Sequence, residues 1–252
     1  MKRELVLIGI GAGHPDWLTL AGVEAIQQLD VLFVVVKQAE LDDLVEARRT
    51  ITMRHRHTPL RTVELPDPPR PWQSTPDYPA AVQTWRAQRL EQWSRVVEAE
   101  LGDGQLGGFL VWGDPGLYES TLAIVNEMAA HSARPLGVRV IPGISSVLAL
   151  ATEFRIPLNR QGRAVQIAPA RLLADGMPND VDDVVVMLDP KQTFASITPD
   201  GLDIYWAAYL GRPNQILISG DLASVRDEIM RVRAEAAQRH GWIFDTYLLR
   251  RR

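Results

Sequence analysis

Leu5-Val6-Leu7-Ile8-Gly9-Ile10-Gly11-Ala12-Gly13-His14-Pro15-Asp16 is the stretch whose reading decides the fold. Its first half is apolar almost without interruption, the pattern of a strand buried on both faces of a parallel sheet. Its second half is a glycine turn. Thr19 then stands where a helix N-cap belongs, ahead of a helix to about Leu29. Val31 to Val36 is a second apolar strand. Strand, glycine turn, helix, strand is the opening of a doubly wound α/β domain.

The same grammar continues outward. Phe109 to Trp112 is a third strand, ending in Gly113-Asp114-Pro115-Gly116-Leu117-Tyr118. A helix from about Ser120 to His131 leads to a strand at Val138 to Ile141, which ends in Pro142-Gly143-Ile144-Ser145-Ser146. A further helix runs to Glu153. Between the second and third strands lie a short helix over 42–49 and a proline-rich excursion over 58–79, with a strand at Arg61 to Leu65. A helix follows from Pro79 to Leu101, whose Leu90, Trp93, Val97 and Leu101 form one apolar face. After Asn159 strands recur at Ala164–Ala168, Val184–Leu188, Ile204–Tyr209 and Gln215–Ser219. Then come a helix over 222–240, with a possible Asp227–Arg231 pair, a stop at Gly241, and a last strand at Trp242 to Leu249. Arg250-Arg251-Arg252 reads as a soluble tail. The fold expected is α/β with two domains. Residues 1–141 form a mostly parallel doubly wound sheet carrying the glycine loops, and 142–252 a smaller mixed α+β domain, with a cofactor cleft between them.

Composition excludes several functions. The chain has no cysteine, so disulfides, thiolate catalysis and Cys-ligated metal are ruled out, and a reducing cytoplasmic setting fits. A net charge of -4 gives no reason to expect nucleic acid. The opening apolar run is too short for a membrane span and lacks a signal-peptide cleavage pattern.

The glycine loops invite a dinucleotide reading, but two details argue against it. His14 stands where the third glycine should fall, and Asp30 precedes the second strand, whereas a ribose-binding acid ends that strand. No loop carries a phosphate-binding lysine. The turns Gly9–Pro15, Gly113–Tyr118 and Pro142–Ser146 sit at strand C-termini, where open α/β sheets bind ligands. They offer backbone donors and close approach with little positive charge, which suits a ligand that is itself cationic and has amino, carboxylate and adenine parts.

These residues, in this order, resemble the tetrapyrrole methylase family of corrin and sirohaem methyltransferases. Gly9-Ile-Gly11-Ala-Gly13-His14-Pro15-Asp16-Trp-Leu18-Thr19 is similar to the family's G-x-G-P-G-D-P-x-x-L-T. Gly113-Asp114-Pro115 looks like its G-D-P signature, and Pro142-Gly143-Ile144-Ser145-Ser146 its P-G-x-S-S turn. Gly211-Arg212-Pro213-Asn214-Gln215 resembles its late G-x-x-x-Q segment. The wording from Phe109 to Thr121, Ile156-Pro-Leu-Asn159 and Trp85 resemble a subgroup that couples methylation with deacetylation. The resemblance implies a homodimer that uses S-adenosylmethionine to methylate a ring carbon of a corrin precursor in cobalamin biosynthesis. It also implies that Gly11, Ala12, Gly13, Gly113, Asp114, Leu117 and Tyr118 line the cofactor pocket together with Ser145, Ser146, Met187 and Gly211.

Methyl transfer from a sulfonium is an in-line displacement with a neutral leaving group, so the protein chiefly positions its reactants. Loss of an acetyl group requires attack by water, for which a general base is useful. His14, within the first glycine loop, and Tyr118 are the catalytic candidates. His55, His57, His131 and His240 lack metal-ligand spacing, and no metal is expected. A substrate rich in carboxylates needs cations, and Arg48, Arg49, Arg54, Arg56 and Arg61 form the densest basic stretch. Lys37, at a strand end, and Arg54 are the substrate-binding candidates. Three other readings remain open: a methylase of the same fold acting on another ring carbon, a protein or ribosomal RNA; a Rossmann-type NAD(P) reductase; and a non-catalytic tetrapyrrole-binding module.

Overall fold

The computed structural model describes residues 2–36, 42–69, 77–241 and 243–252. Lys37 therefore lies outside the described residues, as does Trp242. The chain divides into two compact units, one of Met1–Gly11 with Pro15–Ile144, the other of Ala12–His14 with Ser145–Arg252. The division lies after Ile144, and three residues of the first glycine loop count with the second unit.

In the first unit, β1 (Arg3–Gly9), β2 (Val31–Val36), β3 (Arg61–Pro66), β4 (Leu106–Val111) and β5 (Leu136–Ile141) form one sheet in the order β3-β2-β4-β1-β5, with every pairing parallel. Interior β1 has neighbours on both sides and is buried almost throughout, which is why it reads as an apolar run. Its alternate residues serve two cores. Leu5 and Leu7 pack with Phe33, Phe109, Trp93 and Val97, while Val6 and Ile8 pack with Ala25, Ile26, Leu32 and Ile51. The helical partners come from α1 (Leu20–Gln28), α2 (Asp42–His55) and α3 (Tyr78–Glu100), and α4 (Thr121–His131) adds Ile124, Val125 and Met128 to the first of these cores. Thr19 caps α1 as expected, its hydroxyl accepting from Gly22 N at 3.1 Å. Asp77 caps α3 in the same way through Ala80 N, with a proline in the first turn. Helix α2 outruns the expected 42–49 and closes on His55, whose Nε2 lies 2.8 Å from Pro15 O.

Charge fastens the end of the first sheet remote from the glycine turns. Buried Arg3 donates to Glu98 Oε2 at 2.7 Å and to Ser132 Oγ at 2.9 Å, and Arg134 Nε donates to Glu98 Oε1 at 2.6 Å. Hydrogen bonds from Arg134 and then Arg3 hold the Glu98 carboxyl below the usual carboxylate range. A depressed folded pKa gives stability that is complete above the unfolded value and is lost as pH falls through the folded one. Glu98 is partly exposed, so the effect is modest. Glu98→Gln is expected to lower the thermal midpoint by about 2 °C at pH 7. That gap should close as pH falls below about 4. Melts of both proteins from pH 3 to 7 check it.

The second unit comprises α5 (Ser146–Glu153), β6 (Val165–Pro169), β7 (Asp183–Met187), β8 (Leu202–Ala208), β9 (Ile216–Asp221), α6 (Leu222–His240) and β10 (Asp245–Arg251), with short 3₁₀ turns at Ala170–Leu173 and Thr193–Ala195. Its sheet order is β6-β7-β10-β8-β9, parallel between β6 and β7 and antiparallel elsewhere. Trp206, Tyr247, Leu249, Val184 and Ile229 build its core. Two expectations are corrected. Arg231 on α6 pairs with Glu235 at 2.8 Å, so the expected partner Asp227 is not the one it takes. The terminal arginines are no tail: β10 is the middle strand, and Arg250 within it is buried. No helix among the described residues is long and apolar enough to cross a membrane.

Candidate functional site

At the C-terminal edge of the parallel sheet, three turns are fastened to one another. Gly11 N donates to Gly113 O at 3.2 Å and Gly113 N returns a bond to Gly11 O at 2.9 Å, so the loops after β1 and β4 form a short antiparallel bridge. Asp114 ties in the third turn. Its Oδ2 accepts from Gly143 N at 2.9 Å, its Oδ1 from Gly116 N at 2.7 Å, and its carbonyl from Leu117 N at 3.1 Å. Packing there leaves no room for side chains. A Cβ on Gly143 would sit 2.2 Å from Gly113 O, and one on Gly9 would sit 2.4 Å from Gly143 N.

Gly113 differs. Its φ is +71°, and a Cβ there would meet nothing within 4 Å. The turn that follows ends on Tyr118, which is held at φ 52° with 48% of its surface exposed. An exposed aromatic residue in the left-handed region is uncommon, and such strain gathers at ligand sites. From their sequence these turns are expected to offer backbone donors, and five of those donors are already engaged. The N–H groups of Gly11, Gly113 and Gly143 are spent on neighbouring turns and those of Gly116 and Leu117 on Asp114 of their own turn, and what Gly113 offers is space.

In the second unit, Ala12–His14 lie against the turn after β8. A Cβ on Gly13 would come within 2.7 Å of Arg212 Cγ and 3.1 Å of Leu210 O. Gly211, at φ 74°, donates its N–H to Gln215 Oε1 at 2.7 Å, and Gln215 Nε2 donates to Glu153 Oε2 at 2.6 Å. Ser145 caps α5 through Leu148 N, and Ser146 is the first helical residue. Met187 ends β7 half-buried. Leu188 follows at φ 57°, 60% exposed. The loop carrying it is pinned by buried Asp189, which accepts from Thr193 N at 2.6 Å and from Tyr247 Oη–H at 2.7 Å. Burial, reinforced by Asp189, pushes the Tyr247 phenol well up, so it stays protonated and keeps donating. Asp245 beneath accepts from Trp206 Nε1 and Arg233; burial raises its carboxyl, and Arg233 opposes the rise.

Comparison with known proteins assigns the family. The family model for tetrapyrrole (corrin/porphyrin) methylases matches residues 4–226. The chain belongs to that family. It is 41% identical over 250 residues to a precorrin-6A synthase (deacetylating) from a Sinorhizobium species, covering 99% of this chain and 95% of the relative. A cobalamin-synthesis-related protein (CobF) from Corynebacterium diphtheriae has a solved structure that superposes with a TM-score of 0.84 at 31% identity, across 100% of this chain and 99% of that one. A uroporphyrin-III C-methyltransferase from Thermus thermophilus, solved with S-adenosyl homocysteine, shares the fold at a TM-score of 0.61 and 17% identity, over 98% of this chain and 91% of that one.

Among the residues expected at the methylase site, Gly11, Gly113, Asp114, Leu117 and Tyr118 come together in the first unit. In the second, Gly13 lies against Leu210 and Arg212, which flank Gly211, Ala12 and His14 count with the same unit, and Ser145, Ser146 and Met187 each stand at an element terminus. Arg54 is committed elsewhere, its Nε and Nη2 bonding both carboxylate oxygens of Asp16 at 2.9 and 3.1 Å. The basic run is largely spent internally too: Arg48 donates to Leu110 O, Arg56 to Ile26 O and Gln27 O, and Arg61 to Glu100. Sequence reasoning missed Asp189, Tyr247, Arg233 and Asp245. The bonds that join them to one another and to Trp206 span 12 to 58 residues, and no local pattern announces them.

Proposed function

We propose that this methylase transfers the methyl group of S-adenosylmethionine to ring carbon 1 of precorrin-5 and releases the acetyl group as acetate, giving precorrin-6A. The observation that carries the reading is the 41% identity to a precorrin-6A synthase (deacetylating) along 99% of the chain. Local geometry supports it. The open volume beside Gly113 admits a ligand close to the backbone, and a dinucleotide is disfavoured because α1 begins only at Leu20. A dinucleotide loop opens directly into its helix, so that the first free N–H groups meet the pyrophosphate.

A sulfonium donor supplies an electrophilic methyl group and leaves as a neutral thioether, so no acid is needed at sulfur. The chain's part is orientation, which contributes about 7–11 kcal/mol in well-aligned systems. Gly113 leaves the space, Asp114 fixes the turn around it, and Leu117 and Tyr118 supply its apolar wall. In the second unit the donor-contacting positions assigned are Ala12, Gly13, Ser145, Ser146, Met187 and Gly211. His14 is assigned as the base that takes a proton from the water attacking the acetyl carbonyl. Lys37 and Arg54 are assigned to substrate carboxylates, Arg54 by exchanging Asp16 for substrate. The same reading makes the protein a cytoplasmic homodimer.

Mass spectrometry of precorrin-5 incubated with the protein and isotopically labelled donor tests this. One labelled methyl gained with one acetyl lost is expected. A methyl gained with the acetyl retained would refute the deacetylating assignment, and no gain from a donor that binds would refute the acceptor.

A further inference from the structure

The geometry points to Arg89 as a positioning residue for the turn that carries Tyr118, acting through Ser120. This rests on the reading that the turn after β4 receives the methyl donor. Arg89 lies in the middle of α3, and its side chain is only 5% exposed. Its guanidinium is sandwiched between two rings of its own helix, 4.3 Å from the centroid of Trp85 and 4.1 Å from that of Trp93. The spacing of the three residues, 85, 89 and 93, stacks them on one helix face. Asp67, 3% exposed, approaches Arg89 Nε at 2.9 Å. The two indoles fix the strand-end segment that carries Asp67, Trp93 Nε1 donating to Pro66 O at 2.8 Å and Trp85 Nε1 to Pro68 O at 3.0 Å. Ring faces, carboxylate and indole bonds thus hold this cation in one place.

Arg89 Nη1 reaches out of this clamp to donate to Ser120 Oγ at 3.0 Å. Ser120 occupies the N-cap position of α4, where a serine normally turns its hydroxyl to a backbone N–H of the first helical turn. Here it makes no such cap, and its backbone is at φ -90°, ψ -20° instead of the extended cap geometry. Glu119 Oε1 takes Thr121 N instead, at 2.7 Å. The serine hydroxyl has been diverted from its ordinary local use to a partner 31 residues away. The residues between Asp114 and Ser120 are consequently fastened at both ends. Asp114 secures one through Gly143 N, Arg89 secures the other through Ser120, and Tyr118 at φ 52° is held between them. A left-handed tyrosine fastened in the same turn as the open face of Gly113 is preorganised for a ligand, and Arg89 supplies that fastening from outside the turn.

Ser120→Ala tests the link without disturbing the buried clamp, which Arg89→Ala would collapse. Calorimetry with S-adenosylhomocysteine and thermal melts are run on the wild type, Ser120→Ala and Ser120→Thr. Ser120→Ala is expected to weaken S-adenosylhomocysteine about tenfold, the low end for a hydrogen bond to a charged group. Its thermal midpoint should fall by no more than about 3–6 °C, the cost of one such bond in a chain of this size. Ser120→Thr, which keeps the acceptor oxygen, should restore the affinity. Wild-type affinity in Ser120→Ala overturns the inference while leaving the donor reading intact. A wild type that does not bind S-adenosylhomocysteine overturns the donor reading first. Equal weakening in the alanine and threonine variants overturns the role of the hydroxyl.

Discussion

Gly113→Ala is expected to fold and to lose its methyl donor, whereas Gly143→Ala, thirty positions on in the same turn cluster, is expected not to fold stably. The two glycines look interchangeable in sequence, since each sits at a strand end beside a proline-containing turn. Their surroundings separate them. A methyl on Gly113 meets no protein atom within 4 Å, so its only folding cost is the left-handed φ of +71°. That cost is about 1–2 kcal/mol for a residue with a Cβ. A methyl on Gly143 would lie 2.2 Å from Gly113 O and 2.7 Å from Gly9 C. Those atoms are backbone, held by the Gly11–Gly113 bridge, and cannot step aside as a side chain would. Strain of about 3 kcal/mol or more follows. The space a Gly113 methyl would fill is the space the proposed function gives to the donor, so affinity for S-adenosylhomocysteine should fall at least about tenfold. Calorimetry and thermal melts of both variants check the pair. A Gly113→Ala protein that binds S-adenosylhomocysteine as the wild type does would place the ligand elsewhere.

What the sequence disclosed, and what it hid, follows from how far each signal reaches along the chain. Strands β1, β2 and β4 were legible because interior strands of a parallel sheet write themselves as apolar runs, and edge strand β5 because Val138, Val140 and Ile141 stand just before a Pro-Gly turn. Thr19 was legible because capping is a matter of three residues. The position of the strand-end turns was legible for the same reason, but their chemistry was not. Nothing local says that Asp114 spends its carboxylate on Gly143, or that the N–H groups of Gly11 and Gly113 satisfy carbonyls in each other's loops. The basic stretch after residue 47 looked like a surface for an acidic substrate because its acceptors are remote: Asp16 for Arg54, Ile26 for Arg56, Glu100 for Arg61. Trp85, Arg89 and Trp93 are a middle case. Their regular spacing is written in the sequence, and only the apolar members attract attention, since a charge on an apolar face reads as an interruption until its carboxylate at Asp67 is found.

Arg250→Ala is expected to destabilise the protein by about 3–5 kcal/mol, the cost of leaving one member of a buried ion pair behind. Arg250 Nε donates to Asp183 Oδ1 at 2.6 Å, and Asp183 is fully buried. The two residues face each other in the β10–β7 register. Arg250 Nη2 also donates to Pro157 O and Leu158 O at 3.0 Å, so the same side chain anchors the segment leaving α5. Arg160 Nε stands 3.2 Å from Asp183 Oδ2 and keeps some charge compensation, which places the loss nearer the lower end of that range. The thermal midpoint should fall by about 10 °C. Arg252→Ala is the contrast. That side chain is half exposed and pairs with Asp221 at 2.8 Å on the surface, so its loss should cost less than about 1 kcal/mol. A decisive third arm replaces both members together. Asp183→Asn with Arg250→Met leaves no unpaired buried charge and should recover much of what Arg250→Ala loses, because the penalty lies in the orphaned carboxylate more than in the lost attraction. Denaturant titrations of the four proteins order them. If Arg250→Ala and Arg252→Ala melted together, the last three residues would be the solvated tail that their composition suggests.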